Sequence, residues 1–291
     1  MNILLKNPYF SLLNTDHIRL DQNWNYKNVV STFYRLYLID DGEGRLFDHQ
    51  ESFKLEKNYL YLIPSFTLCN YECNTFLSQY HLSFIEETHS GGSLFYNNRK
   101  VIKIEARSSD YEQFKRLLEL NPNRGLHRSH NPRVYEKRPI LQSFNELNNK
   151  LQPSANLETQ GLILQLLSRF MHPENFRSSS VQKTPSKVLD AIEYMQTNLH
   201  KNLTVAELAK RANHNSDYFS RIFFESTGER PLQYLRNKRI ERSQILLSTT
   251  EMTFSQIAEE TGFENLPYFS KIFKQVTGSS PSYFRKNSQI T

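Results

Sequence analysis

The residue types best suited to chemistry are two cysteines, Cys69 and Cys73, and nine histidines. A thiolate is a nucleophile and a metal ligand, but a CxxxC pair alone supplies too few ligands for a structural zinc site. The histidines form no HxH, HxxxH or HExxH group, and the sequence has no P-loop, GxSxG or GxGxxG motif. We therefore predict no catalytic site, no metal and no cofactor. Both cysteines are expected to be buried as small apolar side chains, and His81 to lie inside a strand.

Composition bounds the class of protein. The 291 residues are enough for about two domains, and 20 Phe with 16 Tyr supply the bulk of a core. A formal charge of +6 and a pI near 9.1 permit a polyanionic partner without requiring one. The N-terminal segment has no run that fits a signal peptide, and no stretch approaches the roughly 20 apolar residues of a spanning helix. We expect a cytoplasmic protein that does not bind membranes.

Strand-like segments fill the chain up to about residue 105. Short runs of β-branched and aromatic residues at 35–39, 45–47, 58–63 and 76–84 are separated by Gly, Asp or Pro turns. Several short strands at close spacing predict an antiparallel sandwich or small barrel.

Helical periodicity follows, with apolar stripes near 114–118 and 162–170. A third stripe is spaced near 3.5 residues and fits either a coiled-coil-like dimer seam or an intradomain packing face. Its members are Ile140, Phe144, Leu147 and Leu151. A basic stretch at 121–138 is interpreted either as a solvated loop or as an anion contact.

A polar segment with three serines in a row and two prolines marks the best domain boundary. It predicts a first domain at 1–171, a linker at 172–186 and a second domain at 187–291. The fold class is α+β, with an antiparallel β-barrel and trailing helices followed by an all-α domain.

The last hundred residues contain an internal repeat. Tyr218–Phe223 (YFSRIF) aligns with Tyr268–Phe273 (YFSKIF), and 204–209 aligns with 253–258. Each copy is punctuated as helix, turn, helix. Capping boxes, left-handed turn residues, C-terminal glycines and N1 prolines supply the signals. These are Thr204 with Glu207, Thr253 with Gln256, Asn213, Gly262, Gly228, Gly278, Pro231 and Pro281.

Two short helices across a tight turn are the DNA-reading unit of helix-turn-helix proteins. Residues 231–248 are predicted to form one connecting helix of roughly 27 Å. Units at its two ends would place their second helices about one DNA turn (~34 Å) apart, in successive segments of the major groove.

The segment from about 186 to 286 resembles the DNA-binding domain of AraC-type transcription regulators. The run Gly262–Arg285 (GFENLPYFSKIFKQVTGSSPSYFR) carries the resemblance. The N-terminal half resembles the cupin-like β-barrel of the same family through Asp41–Phe47 and Leu60–Glu72. The family usually has Pro-Gly where 56–58 is Glu-Lys-Asn, and often a His near Cys69. The residues that bind an effector are therefore not transferred.

The resemblance implies which residues contact DNA. A guanidinium at Arg221 can bond O6 and N7 of guanine together, whereas Lys271 reaches the same acceptors with less directional control. Phosphate contact is the alternative for both. Apolar residues in the second copy can offer only contact to a thymine methyl group. The full set is Ser216, Asp217, Ser220, Arg221, Leu266, Pro267, Ser270, Lys271 and, on the connecting helix, Arg239. For Arg239, as for the other basic residues of that helix, phosphate contact and pairing within the domain are both open.

The resulting hypothesis is a sequence-specific transcription regulator of the AraC family, an activator that responds to a small-molecule effector in the barrel. Its expected partners are double-stranded DNA, that effector, RNA polymerase and a second copy of the chain. One alternative is a constitutive DNA binder with a structural or protein-binding N-terminal domain. Another, from a different class, is a DNA-tethered enzyme such as a barrel hydrolase, or an alkyl transferase with a reactive cysteine.

Overall fold

The computed structural model describes residues 9–48, 51–87, 94–95, 98–126, 131–132, 138–172 and 185–287. Contacts divide the chain into two compact units, one mainly of residues 1–87 and 98–176 and the other of 88–97 and 177–290. Most of the predicted linker, residues 173–184, lies outside the described residues. Its boundaries therefore stay a prediction.

The N-terminal unit is built from two antiparallel sheets. One has the strand order β1-β8-β3-β6-β9 and the other β2-β7-β4-β5. The strands are β1 (Tyr9–Asp21), β2 (Tyr26–Val30), β3 (Tyr34–Gly42), β4 (Gly44–Phe47), β5 (Ser52–Leu55), β6 (Tyr59–Ile63), β7 (Leu68–Glu72), β8 (Phe76–Glu87) and β9 (Ile102–Glu105). Strand β3 continues to Gly42 through the turn expected after Ile39, because an irregularity between Ile39 and Asp41 shifts its register on β8 without ending the ladder.

Strand β3 is buried on both faces, which explains its continuous apolar run. Alternate residues of a strand face opposite sides. Tyr37 and Ile39 share a face and enter a core cluster with Cys69 and Tyr71 from the second sheet. The core of the barrel therefore lies between the two sheets.

The described helices that follow or flank the sheets are α1 (Ser108–Leu120), α2 (Arg138–Lys150) and α3 (Pro153–Ser168). Helix α2 packs on β1, and α1 packs on α3. Phe144 is buried, so this member of the predicted stripe serves intradomain packing. Leu151 falls just beyond α2 because Pro153 starts a new helix.

The elements of secondary structure in the described residues of the C-terminal unit are helices joined by short turns and loops. Its helices are α4 (Ser186–Thr197), α5 (Val205–Arg211), α6 (Ser216–Thr227), α7 (Pro231–Thr249), α8 (Phe254–Glu260), α9 (Leu266–Thr277) and α10 (Pro281–Asn287). They enclose two cores, one formed mainly by α4 to α6 with the start of α7, and one by the rest of α7 with α8 to α10. Among the residues described, no helix is both long and apolar enough to span a bilayer.

Candidate nucleic-acid interface

The first helix-turn-helix unit consists of α5 and α6. Its capping box is formed: the Glu207 amide donates to Thr204 Oγ1 over 3.2 Å, and the Thr204 amide donates to Glu207 Oε2 over 2.8 Å. Asn213 has φ of 57°, the left-handed conformation expected for the turn. Gly228 ends α6 with φ of 77°. The helix start, turn and helix end predicted for this copy are confirmed.

The second helix-turn-helix unit, α8 and α9, repeats the same construction. Thr253 and Gln256 form the capping box, and Gly262 takes the left-handed turn position with φ of 75°. Each turn closes with an equivalent backbone bond, from His214 to the Ala209 carbonyl and from Phe263 to the Ala258 carbonyl. The internal repeat in sequence is therefore a repeat in structure.

The N-cap residues of α6 and α9 were missed in the sequence. The Asn215 side chain accepts a hydrogen bond from the Tyr218 amide, and the Asn265 side chain accepts one from the Tyr268 amide, each over 2.8 Å. An asparagine directly before a predicted helix is a preferred cap and was the available signal. These caps fix the first turn of each recognition helix, where several of the base contacts are predicted.

The two recognition helices bury one face and expose the other. Phe219 and Phe223 of α6, like Phe269 and Phe273 of α9, are inaccessible to solvent. The predicted DNA contacts lie on the opposite side or at its edge. Asp217, Arg221, Leu266, Pro267 and Lys271 are exposed, whereas Ser216, Ser220 and Ser270 are half-buried.

Arg221 and Lys271 are free to bind an external partner. Neither side chain forms an ion pair within the described chain, and the contact of Arg221 is a cation–π approach of 5.4 Å to the Tyr218 ring. Tyr218 and Tyr268 are themselves 42% and 46% exposed, next to these basic groups. The sequence repeat paired these two tyrosines but did not mark them as surface residues.

The two recognition helices differ in charge. Helix α6 carries Asp217 and Glu225 against Arg221, whereas α9 carries Lys271 and Lys274 with no acidic residue. The second helix therefore attracts phosphate, and the first gains little from non-specific attraction.

Two of the four basic residues of α7, Lys238 and Arg239, are engaged inside the domain. Lys238 is buried and pairs with Glu241 over 2.7 Å. Arg239 donates from Nε to the Leu199 carbonyl over 2.9 Å and from Nη2 to the Lys201 carbonyl over 2.6 Å. Burial lowers the pKa of Arg239 from its ordinary value. Since Nε and Nη2 already have acceptors inside the domain, this geometry favours the intradomain alternative for Arg239 over the predicted DNA contact.

The N-terminal unit offers little support for a thiol-based reaction. Cys69 and Cys73 are both buried, and burial raises the pKa of the Cys69 thiol to about 11. Burial also raises the pKa of the Cys73 thiol. Both thiols are therefore protonated at neutral pH, which argues against the alkyl-transferase alternative. Among the described residues, no group of three His, Cys, Asp or Glu side chains is placed to hold a metal.

Comparison with known proteins gives one family match and a set of regulators. A family described as "Helix-turn-helix domain" matches residues 208–287. The Msm operon regulatory protein of Streptococcus mutans is 25% identical over 260 residues, which cover 87% of this chain and 85% of that protein.

Shorter matches fall on the C-terminal half. Uncharacterized HTH-type transcriptional regulators of Staphylococcus aureus are 26% identical over 134 residues, 45% of this chain. The chain spans only 18% of the length of those relatives. The C-terminal domain of AraT, a response regulator from Geobacillus stearothermophilus, is 30% identical with a TM-score of 0.36 and covers 38% of this chain and 92% of its own.

Proposed function

We propose that this chain, which belongs to the AraC-type transcription regulators, binds one double-stranded site with both helix-turn-helix units and controls transcription there. The observation that carries the proposal is the duplicated unit with its free basic side chains. Arg221 and Lys271 occupy equivalent positions on α6 and α9, and both are exposed without an ion pair in the described chain.

The connecting helix supports simultaneous contact by both units. Helix α7 has 19 residues, so it is about 28 Å long at a rise of 1.5 Å per residue. One turn of DNA is ~34 Å, and a modest bend of the duplex absorbs the difference. We therefore expect a footprint on one face of the duplex over two successive major-groove segments.

A selection experiment tests this function. The full chain is used to enrich bound duplexes from a random library, and affinity is then measured for the enriched and a scrambled sequence. We expect the enriched site to bind at least about 10³-fold more tightly, as sequence-specific proteins do. Equal affinities for the two duplexes would contradict the proposal.

Response to a small molecule is the finer part of the proposal. Its support is an aromatic cluster between the two sheets, in which Trp24, Tyr37 and Tyr71 lie together. The relative from Streptococcus mutans is named for control of an operon, and we propose the same kind of role here, as an activator that contacts RNA polymerase. Ligand binding would shift the population between DNA-competent and incompetent arrangements.

Self-association through α3 is the second finer part. Leu157 and Leu164 lie seven residues apart on this helix and are 73% and 38% exposed. A spacing of seven places them on the same helix face. The predicted seam on α2 has its Phe144 buried inside the unit, so we propose α3 as the dimer surface instead. A homodimer would present four recognition helices to a repeated site.

A further inference from the structure

Arg35 is a guanidinium buried between the two sheets of the N-terminal unit. The residue is 1% exposed, and its register on β3 opposite Ile63 places it on the inner face with Tyr37. In the part of the chain that the structure describes, no carboxylate forms an ion pair with it. Because burying an unpaired charge is costly, a guanidinium in this core needs a partner that compensates its charge.

Two neighbouring side chains retain unused hydrogen-bonding capacity. Arg35 donates from Nη1 to the Tyr71 hydroxyl and from Nη2 to the Thr67 carbonyl, the latter over 3.3 Å. Arg35 Nε and Thr67 Oγ1 are both buried and have no partner among the described residues. A guanidinium N–H and a hydroxyl can both donate to one negatively charged acceptor.

A second arginine of the same unit provides the contrast. Arg124 is 2% exposed, but Nη1 donates to the carbonyls of Leu12, Leu13 and Phe144, and Nη2 donates to Asn148 Oδ1 over 2.7 Å. Burial lowers the pKa of Arg124 to about 10. The fold therefore can bury an arginine by supplying neutral acceptors, and it supplies fewer of them to Arg35.

The segment beside Arg35 is strained. Phe66, which precedes Thr67, has φ of 57°, a conformation that a bulky residue rarely adopts. It is held by its amide, which donates to the Ser31 carbonyl over 2.7 Å, and by the Arg99 guanidinium, 5.1 Å from its ring centroid. Strained backbone is concentrated at ligand sites and clamps. The strain and a second basic side chain thus meet at the loop that joins β6 to β7.

We propose that the barrel binds an anionic small molecule whose carboxylate or phosphate group is received by Arg35 and Thr67. The aromatic pair Trp24 and Tyr71, with ring centroids 4.9 Å apart, supplies a wall for an apolar or ring-shaped body next to that group. This inference rests on the proposed effector role of the N-terminal unit and names the chemical class of the effector.

Thermal unfolding of the full chain tests the assignment with charge-matched pairs. The probes are benzoate against benzyl alcohol, glucose 6-phosphate against glucose, and inorganic phosphate alone. We expect at least one organic anion to raise the melting temperature and its neutral counterpart to leave it unchanged. The carboxylate and phosphate arms distinguish the two sources of charge. Equal shifts from a charged probe and its neutral counterpart, or no shift from any anion, would overturn the assignment.

Three variants separate ligand binding from structural support. Arg35→Met should abolish the shift yet melt at or above the wild-type temperature, because a buried unpaired charge is removed. Thr67→Val, which is nearly isosteric, should weaken the affinity for the anion several-fold. The matched control Arg124→Met should melt lower and keep the anion response. An Arg35→Met protein that melts lower and still responds would assign Arg35 a structural role. If the wild-type chain selects no duplex in the enrichment experiment, that result counts against the proposed function and not against the anion site.

Discussion

Arg239 and Gly262 occupy adjoining space so tightly that a Cβ atom on Gly262 would lie 2.8 Å from Nη2 of Arg239. The same atom would lie 2.2 Å from the carbonyl oxygen of Leu199, to which Arg239 donates a hydrogen bond. The connecting helix, the loop after α4 and the turn of the second helix-turn-helix unit therefore meet at one joint. This joint fixes how the first helix-turn-helix unit is carried relative to the second.

The close packing at this joint predicts that Gly262→Ala lowers the free energy of unfolding by a large amount. Gly262, Gly228 and Gly278 have nearly the same φ, between 75° and 79°, but at the latter two a Cβ atom would meet no other atom within 4 Å. Gly228→Ala should cost about 1–2 kcal/mol, the strain of the left-handed conformation alone. Gly262→Ala should cost about 1–3 kcal/mol more because of overpacking. Urea unfolding followed by circular dichroism measures both, and equal costs would refute the close packing.

Arg239→Met should weaken DNA binding by releasing the joint. We expect a loss of roughly three- to tenfold on the selected site, with an unchanged dependence of affinity on salt, because no phosphate contact is removed. Arg242→Met is the control, since Arg242 lies on the same helix without an ion pair in the described chain. A salt slope reduced by about one in Arg239→Met would show that Arg239 contacts phosphate after all.

Arg221→Ala and Lys271→Ala should have different signatures. Loss of a guanidinium that reads guanine should cost about 1–3 kcal/mol on the selected site and relax preference at one base pair. Loss of Lys271 should weaken all duplexes alike and reduce the salt slope by about one. Fluorescence anisotropy on the selected and scrambled duplexes at several salt concentrations distinguishes them. If Arg221→Ala loses the same affinity for both duplexes, Arg221 contacts phosphate and does not read a base.

The buried thiol of Cys69 predicts a loss of stability at alkaline pH. Burial raises its pKa from 9.0 to about 11 in the folded chain, so the folded state holds its proton more tightly than the unfolded state. The stabilisation is present below about pH 9 and is lost as pH rises from about 9 towards 11. Between about pH 8 and pH 10 the loss should be about 1 kcal/mol. Cys69→Ala should flatten the urea-midpoint profile over this range, and an identical profile would exclude the effect.

Leu157→Glu combined with Leu164→Glu should dissociate the proposed dimer. Two charges on an apolar contact face are desolvated without partners, so the dissociation constant should rise at least about tenfold. Sedimentation velocity across a concentration series measures it. Leu232→Glu is the control, because Leu232 is a leucine of similar exposure, 45%, on the C-terminal unit. A wild-type chain that stays monomeric at all concentrations would remove the proposal.

Local signals made the C-terminal domain predictable. Thr204, Thr253 and Gly262 act within a few residues of themselves, and each has the conformation expected from its type. The partners of Arg239 in the joint were not predictable, because Leu199 and Lys201 lie about forty residues away in sequence. A basic residue on a helix between two DNA-reading units looks surface-exposed until the long-range packing is known.

The N-terminal unit shows the same division. The runs at 35–39 and 76–84 predicted strands β3 and β8, since β-branched and aromatic residues are dense there. Strand β1, Tyr9–Asp21, was missed because it mixes polar and apolar residues and bulges between Leu12 and Thr15. The burial of Arg35 could not be predicted from the sequence either, because a charged residue at the start of an apolar run usually marks the solvent-exposed end of a strand.

The unequal charge of α6 and α9 has a consequence for how the protein searches a genome. With two lysines and no acid, α9 can hold the phosphate backbone of any duplex during sliding. Asp217 and Glu225 of α6 repel the same phosphate backbone. We therefore expect α6 to bind firmly only where Arg221 can form hydrogen bonds to a base pair. We therefore expect the second helix-turn-helix unit to supply most of the non-specific affinity for DNA, and the first to supply the sequence preference that determines where the chain remains bound.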